Sequence, residues 1–594
     1  MTYRPPVADM LFTMRHVAEL DEGIESGLYP DLADGMAEAV VEEAAKFAAD
    51  RLAPLNAIGD RTGSKLANGA VTTPPGWRET YTDWASAGWA SLAANPDFGG
   101  QGLPTLLASG CSEIWNAANM AFGLNPLLTI GAVEAINAHA SDELKQRYLP
   151  KMISGEWTGT MNLTEPQAGS DLSALRSKAE RQDDGSYRIT GQKIFITYGE
   201  HDLTENIVHL VLARLPDAPA GTRGISLFLV PKFLVNADGS LGSRNDAWCT
   251  GVEHKLGIHA SPTCTMTYGD NGGAIGWLVG EENRGLNCMF TMMNNARLNV
   301  GIQGVAIAER AYQQALAFAQ ERKQGKAPGD ASISAIIRHP DVKRMLLDMR
   351  TKAAASRAIC YAVAVALDKA HRLEEPAAKR TASEEASILT PVAKAFSTDI
   401  GIDVASTGVQ IHGGMGFVEE TGAAQHYRDA RIAAIYEGTN GIQSIDLVTR
   451  KLPLSDGQAV AKIIARYRDA AKALSAVNDP AFGRAAERLS QAIDSLERCT
   501  AWMIKALGSA QADALAGATP YLRLFGVTAG GAYLAEVALA ARKASMAGDA
   551  DPAHAQRLRD CRFFIENQTA LAEGLEAAIT EGAEAVNAAY GDAA

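Results

Sequence analysis

Around residue 437 the chain reads Ile435-Tyr436-Glu437-Gly438-Thr439-Asn440-Gly441-Ile442-Gln443, a carboxylate flanked by apolar residues and followed by glycines and small hydrogen-bonding groups. In water a glutamate, with a pKa of about 4.3, is a poor base for a carbon acid. Burial beside Ile435 and Tyr436 would penalise its charged form and raise its pKa, so the segment reads as a base held in a dry pocket against a ligand. Other stretches could hold that ligand. Met161-Asn162-Leu163-Thr164-Glu165-Pro166-Gln167-Ala168-Gly169-Ser170-Asp171 concentrates hydroxyls, Pro and Gly, a composition suited to a loop whose backbone amides face a ligand. Gly191-Gln192-Lys193-Ile194-Phe195-Ile196-Thr197 alternates as a strand, which puts Phe195 and Thr197 on one face, an aromatic plane beside a hydroxyl; the plainer reading makes Phe195 a core residue. Gln410-Ile411-His412-Gly413-Gly414-Met415-Gly416-Phe417 is a glycine-rich turn after a helical stretch, where backbone can approach a phosphate-bearing ligand closely. It does not follow a strand, so it is not the dinucleotide fingerprint of a βαβ unit.

The elements that must position these residues change in texture along the chain. From about Leu32 to Leu52, and again up to about Met152, apolar residues recur at three- and four-residue spacing and predict amphipathic helices. Short β-branched runs at Tyr187–Thr197, Ile207–Ala213 and Ile225–Pro231, separated by Gly, Asp and Pro, predict a β-domain. Helical periodicity returns after Gly285, with one long helix predicted from Asn295 to Arg322 and another from about Val342 to Leu373. Pro453 and Ser455-Asp456-Gly457 punctuate a boundary before an alanine-rich helical bundle. The expected units are an N-terminal extension (1–35), a helical domain (36–158), a central β-domain (159–282), a helical bundle carrying Glu437 (283–453) and a C-terminal helical domain (454–594).

Composition narrows the partners. At 594 residues and 47% hydrophobic content the chain has ample core for several domains. Its net charge of −14 opposes adhesion to nucleic acid or anionic lipid. The seven scattered cysteines show no Cys-x-x-Cys pair and signal neither zinc nor a disulfide framework, so no metal is expected and a reducing, cytoplasmic setting fits. Prolines and an acid interrupt the first residues where a secretory signal needs an apolar run. The longest nearly apolar stretch, Leu524–Ala535, is too short to span a bilayer and is expected to be a buried helix, so no stable membrane insertion is expected.

Taken in order, the blocks Thr164–Asp171, Gly191–Thr197, Lys255–Ser261, Gly280–Leu286, Arg297 with its helix to Arg322, Gln410–Gly416 and Arg428–Thr439 resemble the acyl-CoA dehydrogenase family of flavoproteins across roughly residues 40 to 450. The resemblance implies a mainly α fold with a central β-domain: helical domain, β-barrel-like domain and helical bundle, here followed by a further helical domain. Tyr3–Phe12 and the extension after about residue 455 resemble a longer bacterial branch that includes 3-methylthiopropionyl-CoA dehydrogenases and some broad-range fatty acyl-CoA dehydrogenases. The family's reaction oxidises the Cα–Cβ bond of an acyl-CoA thioester with FAD, and its usual acceptor is an electron-transfer flavoprotein. A related oxidase that uses oxygen, or a DNA-binding flavoprotein of the same superfamily, are the alternatives; the acidic charge counts against the second.

Carried over by position, the resemblance implies that Thr164 and Thr197 hydrogen-bond the flavin ring, with Met161 beside them, while Phe195 packs against it where many relatives have Trp. Ser170 would contact the CoA part of the ester, Asn294 and Arg297 its thioester end, and Gly438 the substrate. Arg322, Gln410, Gly413 and Gly414 would reach the FAD phosphates of a neighbouring subunit, which implies a homodimer, and Thr439, Asn440 and Gly441 would lie along FAD. After Arg322 the short forms have a Phe within a few residues, whereas this chain has Lys323-Gln324-Gly325-Lys326. Some relatives carry the base just before the arginine matching Arg297; here that residue is Ala296, so Glu437 is the family base position that holds a carboxylate, and its amide would donate to the thioester carbonyl. His412 is expected to be structural, Asp429 and Arg431 to form a supporting ion pair, and residues near Phe122–Leu128 and Met289–Met293 to line the floor of the acyl pocket.

Overall fold

A computed structural model describes residues 3–32 and 35–589, apart from the side chain of Asn294. The first helical layer contains α1 (Thr105–Ala118) and α2 (Met120–His139), which meet at Asn119. That residue leaves the helical conformation and its side chain accepts from Phe122 N–H at 3.1 Å, so one Asn ends the first helix and caps the second. α2 is apolar nearly all round and is buried on most of its surface, the mark of a core helix.

An eight-stranded sheet follows: β1 (Trp157–Asn162), β2 (Lys178–Arg181), β3 (Tyr187–Thr197), β4 (Asn206–Arg214), β5 (Ile225–Pro231), β6 (Ala247–Val252), β7 (Thr263–Tyr268) and β8 (Ala274–Val279). Their order is β6-β7-β3-β8-β5-β4-β1, with β2 alongside β3 and β4; β1 runs parallel to β4 and the neighbours from β4 to β6 are antiparallel. β5 is buried along its whole length, so both of its faces are covered. The sheet is fastened to α2 where Gly159 N–H donates to Thr129 Oγ1 at 3.1 Å.

Three long helices come next: α3 (Gly285–Glu321), α4 (Pro340–Arg372) and α5 (Pro376–His412). α3 begins ten residues before the Asn295 expected from periodicity, because residues 285–294 are helical too. α3 and α5 pack backbone to backbone: a Cβ on Gly304 would stand 2.2 Å from Ser397 O, and one on Gly401 2.9 Å from Gly304 O. The short α6 (Asn440–Asp446) follows the base segment, and the C-terminal region adds α7 (Gln458–Val477), α8 (Ala485–Ser509), α9 (Ala518–Met546) and α10 (Ala553–Asn567). α9 is apolar and long enough to cross a bilayer, yet 83% of its apolar window is buried inside the protein. It packs on α5, where a Cβ on Gly526 would meet Phe396 at 2.4 Å, and so matches the buried helix expected around Leu524–Ala535.

Candidate active site

Glu437 sits in a reversal of the chain. After a 3-10 turn at Arg431–Ala434, Glu437 (φ +55°) and Gly438 (φ +84°) both take left-handed backbone, and Thr439 then caps α6 by accepting from Ile442 N–H at 3.2 Å. A glutamate in that region is strained, a state that persists where surroundings over-determine it and that clusters at functional sites. Gly438 is required by the same turn: a Cβ there would lie 2.7 Å from Gln443 Nε2, which donates to the Gly438 carbonyl at 3.1 Å. Among the described residues no hydrogen bond uses the Glu437 N–H, so it is free to donate to a ligand.

Two cations flank this carboxylate. Arg297, on α3, is buried and its Nη1 donates to Asp446 Oδ2 at 3.1 Å, while its Nε has no hydrogen-bond partner among the described residues. Lys394, on α5, is fully buried and its Nζ donates to Asn440 Oδ1 at 2.9 Å. Burial pushes the Glu437 carboxyl up to about 7, against the pull of Lys394 and Arg297. Burial likewise brings the Lys394 ammonium down to about 7, opposed by Glu437 and Asp399. Sequence reading missed Lys394; the available signal was a lysine between Val392-Ala393 and Ala395-Phe396, where a core helix face runs through.

Asn440 is committed to α5: besides accepting from Lys394, its Nδ2 donates to Asp399 Oδ1 at 2.7 Å, Thr398 Oγ1 at 3.0 Å and Ala395 O at 3.2 Å. Thr439 spends its hydroxyl on the cap of α6, and Gly441 lies in that helix's first turn. Asn294, expected at the thioester end, has a side chain outside the described residues.

On the β-domain, Phe195 departs from the expected alternation. The pairing of β3 with β7 shifts between Lys193↔Met266 and Ile196↔Cys264, a bulge in which Phe195 takes φ +60° and is 58% exposed. Strict alternation through 191–197 therefore fails, and Phe195 is not a core residue but an uncovered ring on the sheet surface. Thr197, two residues on, is half-buried, as is Thr164; Met161 is buried on β1. The Thr164 carbonyl accepts from Ile194 N–H at 2.9 Å, and next to it Glu165 forms a buried ion pair with Lys193 at 2.8 Å. Burial works against that carboxylate, yet Lys193, Ser177 and the Arg176 N–H hold it down to about 2. This pair, unforeseen although both residues lie inside the motifs singled out, clips the 161–171 loop to the strand carrying Phe195 and Thr197. Ser170 is exposed at the loop's end.

The remaining candidates lie elsewhere. Arg322 is exposed at the end of α3, and Gln410 is exposed at the end of α5 just before Gly413 (φ +61°) and Gly414, around which a Cβ would meet nothing within 4 Å. These ends are neighbours, because His412 stacks on Phe318 with ring centroids 4.4 Å apart. Helix rise puts Arg322 about 38 Å along α3 from Arg297. Within one chain the structure thus gathers Arg297, Gly438, Thr439 and Asn440 around Glu437, and sets Arg322, Gln410, Gly413 and Gly414 apart from them. His412 is held by its ring stacking and by its Nδ1 against Gly408 O at 2.7 Å, contacts of a structural kind.

Asp429 and Arg431 do not form the expected ion pair. Asp429 is buried and accepts from Ile258 N–H and from Gln425 Nε2 at 3.2 Å, so it ties the β-domain to the bundle, whereas Arg431 faces solvent. Burial raises the Asp429 carboxyl to about 6. The adjacent Arg428 makes the ion pairs, to Asp60 and at 2.7 Å to Glu419. A cavity of about 70 Å3 is lined by Gly123, Pro126 and Leu127 of α2, within the Phe122–Leu128 stretch named for the acyl pocket, and by Asn295 and Asn299 of α3.

Family models match in four consecutive pieces: acyl-CoA dehydrogenase N-terminal domain over residues 36–156, middle domain over 160–270 and C-terminal domain over 283–452, then an acetyl-CoA dehydrogenase C-terminal-like domain over 458–589. A 3-methylmercaptopropionyl-CoA dehydrogenase of Ruegeria pomeroyi is 48% identical over 556 residues, 93% of each chain. A broad-specificity linear acyl-CoA dehydrogenase of Mycobacterium tuberculosis is 31% identical over 95% of each chain. Among solved structures, an acyl-CoA dehydrogenase of Bacillus anthracis complexed with FAD is similar in fold, with a TM-score of 0.74 at 20% identity, covering 93% of this chain and 90% of that one.

Proposed function

Because this chain belongs to the acyl-CoA dehydrogenase family, we propose that it is an FAD-dependent enzyme that oxidises the Cα–Cβ bond of an acyl-CoA thioester to the 2-enoyl-CoA, with Glu437 removing the α-proton. The observation that carries the reading is Glu437 itself: a strained turn aims a carboxylate whose burial brings it to about 7, where a base can be ionised and still hold a proton well. The free Glu437 N–H beside it supplies a donor for the thioester oxygen as negative charge builds there during proton removal. Arg297 and Lys394 keep the site positive enough for the carboxylate to ionise, and Gly438 lets the backbone come close.

The exposed Phe195, with Thr164 and Thr197 on segments pinned together by Glu165 and Lys193, offers an aromatic face and hydroxyls that fit a flavin ring. Open space around Gly413 and Gly414 fits the close approach of a diphosphate. When bound, FAD supplies the acceptor for the β-hydride.

Separation of Arg322, Gln410, Gly413 and Gly414 from Glu437 along α3 and α5 supports a homodimer in which each chain completes its neighbour's cofactor site. The uncovered Met415, Phe417 and Val418, with Phe417 86% exposed, support a protein contact at that end. An electron-transfer flavoprotein as acceptor and a cytoplasmic location complete the reading; all seven cysteines are free and buried, as a reducing compartment leaves them. The relatives' names favour 3-methylthiopropionyl-CoA or a fatty acyl-CoA as substrate. The test is anaerobic: purified protein is expected to be yellow and to bleach on adding acyl-CoA esters, whereas Glu437→Gln retains FAD and does not bleach. Folded protein without flavin absorbance, or near-normal bleaching by the variant, refutes the proposal.

A further inference from the structure

A continuous hydrogen-bonded chain leads from the base segment into the cavity beneath α2. Tyr436 Oη, next to Glu437, donates to Gln303 Oε1 on α3. Gln303 Nε2 donates to Asn116 Oδ1 at 3.2 Å, Asn116 Nδ2 to Ser112 Oγ at 3.2 Å, and Ser112 Oγ to Asn299 Oδ1 at 3.2 Å. Asn299 Nδ2 donates to Asn295 Oδ1 at 2.7 Å, and Asn295 Nδ2 to Glu134 Oε1 at 2.6 Å. All but Gln303 and Tyr436 line the cavity, opposite apolar residues such as Trp115 and Leu127.

Glu134 is the one ionisable side chain on that lining, and among the described residues Asn295 is its one hydrogen-bond partner. Burial pushes its carboxyl up to about 8, against the opposing effect of Asn295. Near neutral pH it is therefore largely a neutral acid, with an O–H to donate. A cavity of about 70 Å3 has room for a few heavy atoms. A purely hydrocarbon tail entering it would expel water and leave the acid and amides short of partners, whereas a sulfur or oxygen atom in the tail accepts the acid's hydrogen.

We infer that Glu134, oriented by Asn295 and Asn299, is a specificity-determining residue that selects acyl groups carrying a hydrogen-bond-accepting heteroatom over hydrocarbon acyl groups of the same length. The inference rests on the acyl-CoA dehydrogenase reading above. It assigns the far wall of the pocket a chemical preference and not merely a size, because a site built to hydrogen-bond a substrate rejects the analogue that lacks the partner.

The experiment compares esters that differ in one chain atom: 3-methylthiopropionyl-CoA, 3-methoxypropionyl-CoA and pentanoyl-CoA, each bleaching the holoenzyme's flavin anaerobically. Wild type is expected to favour at least one heteroatom ester over pentanoyl-CoA by about tenfold or more in kcat/KM, and the order of the sulfur and oxygen esters says which atom the wall accepts. Glu134→Leu should collapse the ratio toward one, with retained flavin absorbance showing that the variant folds. Glu134→Gln, which keeps a donor, should retain most of the ratio, and Asn299→Leu should lower it. Equal kcat/KM for all three esters in wild type, or an unchanged ratio in Glu134→Leu and Asn299→Leu, overturns the inference alone. Failure of every acyl-CoA ester to bleach wild type overturns the dehydrogenase reading and this inference with it.

Discussion

Glu437 is expected to govern the pH dependence of turnover, and the size of the effect follows from its surroundings. With burial holding its carboxyl near 7, roughly one molecule in eleven carries the active carboxylate at about pH 6 and roughly ten in eleven at about pH 8. The kcat/KM for an acyl-CoA ester should therefore rise about tenfold across that interval, with a unit slope on its acid side. A glutamate at its ordinary value of 4.5 would be ionised throughout and give a flat profile. The assay is steady-state oxidation with an artificial acceptor, repeated with ester deuterated at Cα so that proton removal is identified as the step that responds.

The same shift carries a stability signature. The folded-state pKa is raised, so the unfolded chain ionises first; the folded state loses relative stability as pH rises above about 4.5, and the loss is complete above about 7. A shift from 4.5 to about 7 corresponds to about 3 kcal/mol. Replacing Glu437 by Gln removes that cost, so the inactive variant should gain stability over wild type between about pH 5 and pH 8, up to about 3 kcal/mol. Denaturation midpoints of both holoenzymes at the two pH values measure it. A flat kcat/KM profile, or a variant that loses ground to wild type as pH rises, refutes the argument that burial tunes this base.

Lys394→Met removes a charge that draws the Glu437 carboxyl downward, so the acid limb of kcat/KM should move to higher pH, with the larger loss near pH 6; an unmoved limb would show that the lysine acts through packing alone. Gly438→Ala puts a Cβ 2.7 Å from Gln443 Nε2 in a backbone at φ +84°. The displaced base should lose about a hundredfold in kcat/KM while flavin absorbance is retained, and activity within a factor of a few of wild type would show that the turn tolerates a side chain.

What could be read from the sequence is what depends on neighbours along the chain. The change from three- and four-residue spacing to β-branched runs and back marks the helical, β and helical regions, because each element must bury one face. Glu437 could be picked out because its apolar flank, its glycines and the capping Thr439 are all local. Long-range partners could not be read. Asp429 takes Ile258, 171 residues away, in place of the nearby Arg431. Glu134 looks like a helix-surface glutamate until Asn295, 161 residues on, is placed against it. Phe195 escaped alternation because a bulge adds one residue to the strand, and the partner that reveals the bulge is β7.

The two illegible features bear on one another. Lys394 reaches the base segment through Asn440, and Glu134 reaches it through Asn295, Asn299, Ser112, Asn116, Gln303 and Tyr436. The first sets how readily the base ionises, and the second places the group that meets the acyl tail. Each link is a side chain whose alternative is an unsatisfied polar atom in a water-poor pocket, so neither can be lost without disturbing its neighbours. On the inference above, the wall that meets the acyl tail and the segment that carries the base are thereby joined by one hydrogen-bonded chain of side chains.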